Sequence, residues 1–172
     1  MALHIAGSDN LVADALPRFS IRVRGLDPYP ERALRWRFRK EVEARCGAVD
    51  VDMMASDDGH NAWAPDYRSP PNSALEGPLP WGRLWRFPRY DVVDLVVNRI
   101  YAAVRENWLG CHLLLVPLIP WKPWMSKLGR FERVIAWDAF APLFVDSSTG
   151  KRKRLPTVED AQWIVLRLTK DA

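Results

Sequence analysis

The clearest hydrophobic pattern in the chain is the run at residues 111–118, which holds no Lys, Arg, Asp or Glu and predicts a strand buried on both faces. Ahead of it, apolar residues recur at helical spacing over residues 91–109; these are Val93, Val97, Ile100 and Val104. Asp91 is expected to cap this helix and Gly110 to end it.

A second helix is predicted at residues 30–46. Pro30 suits the first helical turn, and Gly47 suits the position just past the last one. One face is apolar through Leu34, Phe38 and Val42. The other faces carry arginines, among them Arg32, Arg35 and Arg39.

Shorter patterns complete the predicted fold. Strands are expected at residues 49–54, 84–87, 133–137 and 162–168, with a Pro-rich irregular segment at 56–80 and a short helix at 123–130. Residues 142–145 and 153–156 flank a turn and predict an antiparallel hairpin. Because strands alternate with helices, we expect an α/β fold with a mainly parallel sheet. The strand at 111–118 should be central, and the C-terminal hairpin and last strand should form an antiparallel edge.

The composition is that of an ordinary globular domain, with 172 residues, 48% hydrophobic and 27% charged. No apolar run reaches about 18 residues, so we expect a soluble intracellular protein, cytoplasmic or nuclear, without a membrane partner. Cys46 and Cys111 are expected to be buried reduced thiols. The three scattered histidines predict no metal site.

Basic residues are concentrated near the N-terminus. Residues 18–45 contain nine basic and four acidic side chains, a net charge of +5, against +4 for the whole chain. This imbalance predicts weak, sequence-independent contact of Arg32, Arg35 and Arg39 with DNA or RNA, although a solvated arginine-rich face gives the same pattern. The run Lys151, Arg152, Lys153 and Arg154 is either a phosphate contact, a nuclear import signal or a solvated hairpin.

Two further groups have competing interpretations. Trp121 and Trp124 form either a base-stacking platform or a cover over the core. Asp57, Asp58 and His60 suggest catalysis, but no nucleophile is spaced to join them, so loop solvation is favoured.

The start of the chain resembles the end of the ribonuclease H domain in retrotransposon polyproteins. The matching residues are Asn10-Leu11-Val12-Ala13-Asp14-Ala15-Leu16-Pro17-Arg18, with proline at 17 where serine is usual. The resemblance implies that Asp14 is the last of four carboxylates that bind two divalent metals for phosphodiester hydrolysis. The other three would lie before Met1, so magnesium is expected only with a complete ribonuclease H domain. Residues 1–24 are therefore interpreted as a ribonuclease H tail and linker.

Residues 25–172 resemble the domain that follows ribonuclease H in DIRS-type retroelements, which is itself similar to phage-type N6-adenine methyltransferases. Four anchors carry the likeness; they are Val51-Asp52-Met53-Met54-Ala55-Ser56, Tyr67, Leu115-Val116-Pro117 with its tryptophans, and the final hairpin. The resemblance implies a Rossmann-like, methyltransferase-like sheet. Under it, Asp52 could bind a cofactor ribose, but an aspartate at a strand end is an ordinary feature of α/β domains.

The catalytic motif of that family is altered here. Active enzymes have aspartate or asparagine, two prolines and an aromatic residue, where this chain has Phe87-Pro88-Arg89-Tyr90. The polar side chain accepts a hydrogen bond from the adenine amine, and Phe87 has no acceptor. A glycine-rich loop for S-adenosylmethionine is also missing, since Gly59 is the one glycine near the end of the first strand.

Three hypotheses follow. The first is a non-catalytic part of a retroelement polyprotein that also contains reverse transcriptase, with weak nucleic-acid binding and no cofactor. The second is an adenine methyltransferase with an altered motif, which would use S-adenosylmethionine. The third is a host protein domesticated from the element as a basic binding module.

Overall fold

The computed structural model describes residues 32–69, 75, 77–89, 91–146 and 161–169. The predicted ribonuclease H tail, Asp14 and the basic run from Lys151 to Arg154 lie outside these residues. Within the described part, no helix is long and apolar enough to cross a membrane.

The described elements form a mixed α/β fold. In chain order they are β1 (Arg32–Leu34), α1 (Trp36–Cys46), β2 (Val51–Asp52), β3 (Asp66–Tyr67), β4 (Arg83–Arg86), α2 (Val93–Arg105), β5 (Cys111–Pro117), a 3-10 helix (Pro123–Arg130), β6 (Glu132–Trp137), β7 (Phe144–Asp146) and β8 (Trp163–Thr169).

Six strands form one mixed sheet in the order β3-β2-β4-β5-β8-β6. Strands β3, β2, β4 and β5 pair in parallel, whereas β8 is antiparallel to both β5 and β6. β6 therefore runs in the same direction as β5. The central position predicted for the strand at 111–118 is confirmed.

The last strand lies in a different place from the one predicted. We expected it to be an antiparallel edge, and β8 is antiparallel, but it is inserted between β5 and β6. Its residues from Trp163 to Leu166 are all buried, so both of its faces are covered. A strand of this kind is stable only with a sheet neighbour on each side and a layer on each face.

Successive residues of β5 face two separate hydrophobic cores. Leu113 and Leu115 pack with Phe38 and Val42 of α1. Leu114 and Val116 pack on the opposite face, with Val93, Val96, Val97 and Ile100 of α2 and with the 3-10 helix. The sheet is thus covered by a helix on each side, as the period of two along a strand dictates.

The first predicted helix starts six residues later than expected. Residues 32–34 are not helical but form β1, which pairs antiparallel with β7 in the register Leu34 to Phe144. Arg35 has extended backbone angles (φ −59°, ψ 143°), and its N–H donates to the carbonyl of Leu143, 2.8 Å away. β7 was expected to pair with residues 153–156, which lie outside the described residues.

The second helix is also shorter than predicted. It ends at Arg105, and Asn107 adopts a left-handed conformation (φ 61°) ahead of the expected stop at Gly110. Asp91 does not cap the helix, because no side-chain capping bond is present and its carboxylate is paired with Arg89.

Candidate ligand site at the carboxyl edge of the sheet

The strand order reverses between β2 and β4. From β2, the chain continues to β3 on one side of the sheet, whereas β4 and β5 lie on the other. Open α/β sheets bind ligands outside the carboxyl ends of the strands at such a reversal. Asp52 ends β2, and Phe87 follows β4 at the same edge. The sequence-predicted residues Asp52 and Phe87 are therefore brought together.

Asp52 is buried and holds the loop that follows β2. Its side chain is 5% exposed. One carboxylate oxygen accepts the N–H of Met54 at 3.0 Å, and the other accepts the N–H of Trp63 at 2.9 Å. Burial outweighs these bonds and the nearby arginine charges, and raises the pKa of Asp52 to about 6.

A small cleft opens beside Asp52. Its walls include Leu34, Arg39, Asn61, Trp63 and Phe87. Its free volume is about 20 Å³, which is room for about one water molecule. Asn61 and Trp63 were not singled out from the sequence, because the irregular segment at 56–80 has no periodicity that would place them. Arg39 was singled out, but as a nucleic-acid contact rather than as a wall of this cleft.

Phe87 is part of an aromatic cluster. Its ring stacks on Phe144 (centroids 5.0 Å apart, planes at 4°) and meets Trp163 edge-on at 5.8 Å. These contacts join the residue after β4 to β7 and β8, elements that are distant in sequence. The first position of the altered motif is thus a packing residue.

Two other motif residues, Pro88 and Arg89, have structural contacts of their own. Pro88 is buried. Arg89 forms a two-pronged ion pair with Asp91, with nitrogen–oxygen distances of 2.9 and 2.7 Å. Tyr90 lies outside the described residues.

Gly59 is required by packing within the loop after β2. It has φ +71°, and a Cβ there would collide with the ring of Tyr67. Because Tyr67 fills this space, Gly59 does not present open backbone to a ligand. With Asp52 already accepting two backbone N–H groups and a cleft of one-water size, these residues do not fit S-adenosylmethionine.

The predicted basic face on one helix is wrong in its geometry. Arg32 belongs to β1, and Arg35 directs its guanidinium to the carbonyl of Pro142 at 3.3 Å. Arg39 is partly buried, and its Nε donates to the carbonyl of Leu34 at 2.8 Å. The cause is the late start of α1, which leaves Arg37, Lys40 and Arg45 as its exposed cations. Whether Arg32, Arg35 and Arg39 bind nucleic acid stays a prediction.

The two tryptophans of the WKPW segment, Trp121 and Trp124, lie in different environments. Trp124 is 3% exposed and packs in the core beneath α2, whereas Trp121 is 81% exposed. The core interpretation therefore holds for Trp124 alone.

Contrary to the sequence-based expectation, Ser56 does join Asp58 and His60. Asp58 accepts a hydrogen bond from the Ser56 hydroxyl at 2.7 Å and contacts Nδ1 of His60 at 2.5 Å. Ser56 also lies 3.1 Å from the same Nδ1. A nucleophile and an orienting carboxylate would need opposite ring nitrogens, so this cluster is not a catalytic triad. The hydrogen bonds from His60 and Ser56 hold the pKa of Asp58 well below its usual range.

No protein family, curated protein or solved structure matches the chain. Among the described residues, no group of three or more His, Cys, Asp or Glu side chains could hold a metal ion.

Proposed function

We propose that this chain contains a methyltransferase-like domain that does not transfer methyl groups and belongs to a DIRS-like retroelement polyprotein. The observation that carries the proposal is the packing of Phe87. In active relatives of the proposed family, this position accepts a hydrogen bond from the target adenine. Here it holds a ring that is stacked on Phe144 and has no acceptor atom.

The architecture supports the proposed fold class. Five strands of the large sheet share one direction, the strand order reverses between β2 and β4, and a single strand, β8, runs antiparallel. A mainly parallel Rossmann-like sheet has this character. Asp52 and Phe87, the first residue of the altered motif, lie at the carboxyl edge, where the resemblance predicts the site.

A test of the proposal is equilibrium dialysis of the full chain against labelled S-adenosylmethionine. We expect no saturable binding, because the cleft has room for about one water molecule and the loop after β2 is held by Asp52 and Tyr67. The alternative, an adenine methyltransferase with an altered motif, requires saturable binding that Asp52→Ala removes. Binding with that mutational signature would overturn the non-catalytic proposal.

The second part of the proposal is weak, sequence-independent binding of DNA or RNA. It is supported by the exposed cations of α1, which are Arg37, Lys40 and Arg45. The logarithm of affinity should fall with the logarithm of salt, with a slope of roughly 0.9 per phosphate neutralised on duplex DNA. Replacing all three by glutamine should reduce the slope. An unchanged slope would show that the binding site lies elsewhere, and Lys151 to Arg154 would be tested next. Binding that does not depend on salt would contradict the proposed nucleic-acid binding.

The retroelement origin has a separate test in the nucleotide sequence before Met1. An open frame that encodes reverse transcriptase and the three missing ribonuclease H carboxylates would support a polyprotein. A lone, spliced gene would support the domesticated host module instead.

A further inference from the structure

A buried arginine lies on the other side of the sheet from the cleft. Arg86, the last residue of β4, is 1% exposed. Its Nη1 donates to Nδ1 of His112 on β5 at 2.8 Å. Because a guanidinium has donors only, this Nδ1 is the acceptor, and His112 is neutral with its proton on Nε2.

Three N–H groups in this region have no acceptor. They are Nη2 of Arg86, Nε2 of His112 and Nε of Arg99, and each is buried and unpartnered within the part of the chain that the structure describes. The three side chains come from β4, β5 and α2. Such groups are costly to bury without a partner, so three together need an explanation.

The charges in this region do not balance. Burial and then the charge of Arg99 lower the pKa of Arg86 to about 9, so Arg86 remains a cation at neutral pH. Burial and then both arginine charges lower the pKa of His112 to about 2. Among the described residues, the carboxylate that attracts Arg86 is that of Asp52, which is hydrogen-bonded to Met54 and Trp63. Two like charges thus share a low-dielectric region without a hydrogen-bonded carboxylate among the described residues.

We propose that Arg86, Arg99 and His112 form a binding site for a phosphate group. Guanidinium and imidazole N–H groups are among the donors that proteins use for phosphate, and donors on three separate elements suit a tetrahedral anion better than a planar one. Arg99 is only partly buried, and its Nη2 donates to the carbonyl of Gly77, so it marks the side from which the anion enters. This site is independent of the proposed function.

The test is isothermal titration calorimetry of the full chain with inorganic phosphate at pH 7, against chloride of equal ionic strength. We expect one saturable site. Arg99→Gln should weaken it by at least about tenfold, because a charged donor is lost. The control is Arg105→Gln, an exposed arginine of the same helix, which should bind as wild type does.

Adenosine monophosphate identifies the source of the phosphate. Tighter binding than inorganic phosphate would indicate a nucleotide ligand, and equal binding would indicate free phosphate. Arg86→Met should abolish phosphate binding in the calorimeter. It should also raise the melting temperature in phosphate-free buffer, because it removes an uncompensated buried charge. If Arg86→Met does not fold, the phosphate affinity of Arg99→Gln alone tests the proposed site. No saturable phosphate binding by wild type, or equal affinity in Arg99→Gln, would overturn the proposal.

Discussion

Among single residues, Asp52 links the fold to pH. Its folded pKa of about 6 lies above the unfolded value of 3.8, so the proton stabilises the folded form. This stabilisation is full below about pH 4 and is lost as the pH rises through about 6. Between pH 4 and 7.5 the free energy of unfolding of the wild type should fall by roughly 2–3 kcal/mol more than that of Asp52→Asn. Urea unfolding at both pH values measures the difference.

The matched control for this prediction is Asp57→Asn, an exposed aspartate on the same loop. It should show the wild-type pH dependence. If Asp52→Asn and Asp57→Asn followed the same curve, the buried carboxylate would not be the source of the effect.

Phe87 is the residue that decides between packing and catalysis. Phe87→Asn should destabilise the domain by about 3 kcal/mol, because it removes the ring contacts with Phe144 and Trp163 and buries an amide. Phe87→Leu should cost about 1 kcal/mol. Urea unfolding compares them. Equal stability of the two variants would show that the aromatic cluster contributes little.

The same position tests whether the motif can be restored. Phe87→Asn combined with Arg89→Pro rebuilds the family pattern, and we expect no methyl transfer from it. Gly59 is committed to packing against Tyr67, so the cofactor loop would still be missing. Recovered activity would show instead that the rest of the site is intact.

For these residues the sequence predicted the chemistry of Phe87 but not its surroundings. That Phe87 cannot accept a hydrogen bond follows from its chemistry alone. Its stacking partners could not be predicted, because Phe144 and Trp163 lie on elements that only the folded sheet brings together. Arg86 was likewise missed, since a polar residue at the end of a short strand ordinarily faces solvent.

Among the elements, α1 shows why sequence reasoning misplaced a helix boundary. Leu34, Phe38 and Val42 follow the spacing of one helical face, and all three are buried. Leu34 nevertheless belongs to β1, where its partner is Phe144. Local periodicity cannot distinguish the two, because the pairing depends on a distant strand. By contrast β5 and the middle of α2 were predicted correctly, since their patterns are long and uniform.

The boundary has a measurable consequence for Arg39. Arg39→Gln should destabilise the domain by about 1–2 kcal/mol, because it removes the bond from Nε to the carbonyl of Leu34 and the cation placed 5.5 Å from the Trp63 ring. Arg37→Gln, at an exposed position of the same helix, should change stability by less than about 0.5 kcal/mol. Equal effects in thermal unfolding would contradict this boundary.

At the scale of the whole molecule, alternation of strands and helices was enough to predict a mainly parallel sheet with β5 at its centre. The insertion of β8 between β5 and β6 could not be predicted, because an apolar strand carries no signal for which neighbours it joins. This arrangement, with Asp52 and Phe87 at one edge, is what the methyltransferase-like proposal explains.

The proposed domain is expected not to transfer methyl groups. The direct measurement is incorporation of labelled methyl groups from saturating S-adenosylmethionine into adenine-containing DNA, duplex and single-stranded, by the full chain. An active N6-adenine methyltransferase serves as the positive control. We predict incorporation equal to the protein-free background on both substrates. Incorporation above background that Asp52→Ala abolishes would contradict the account.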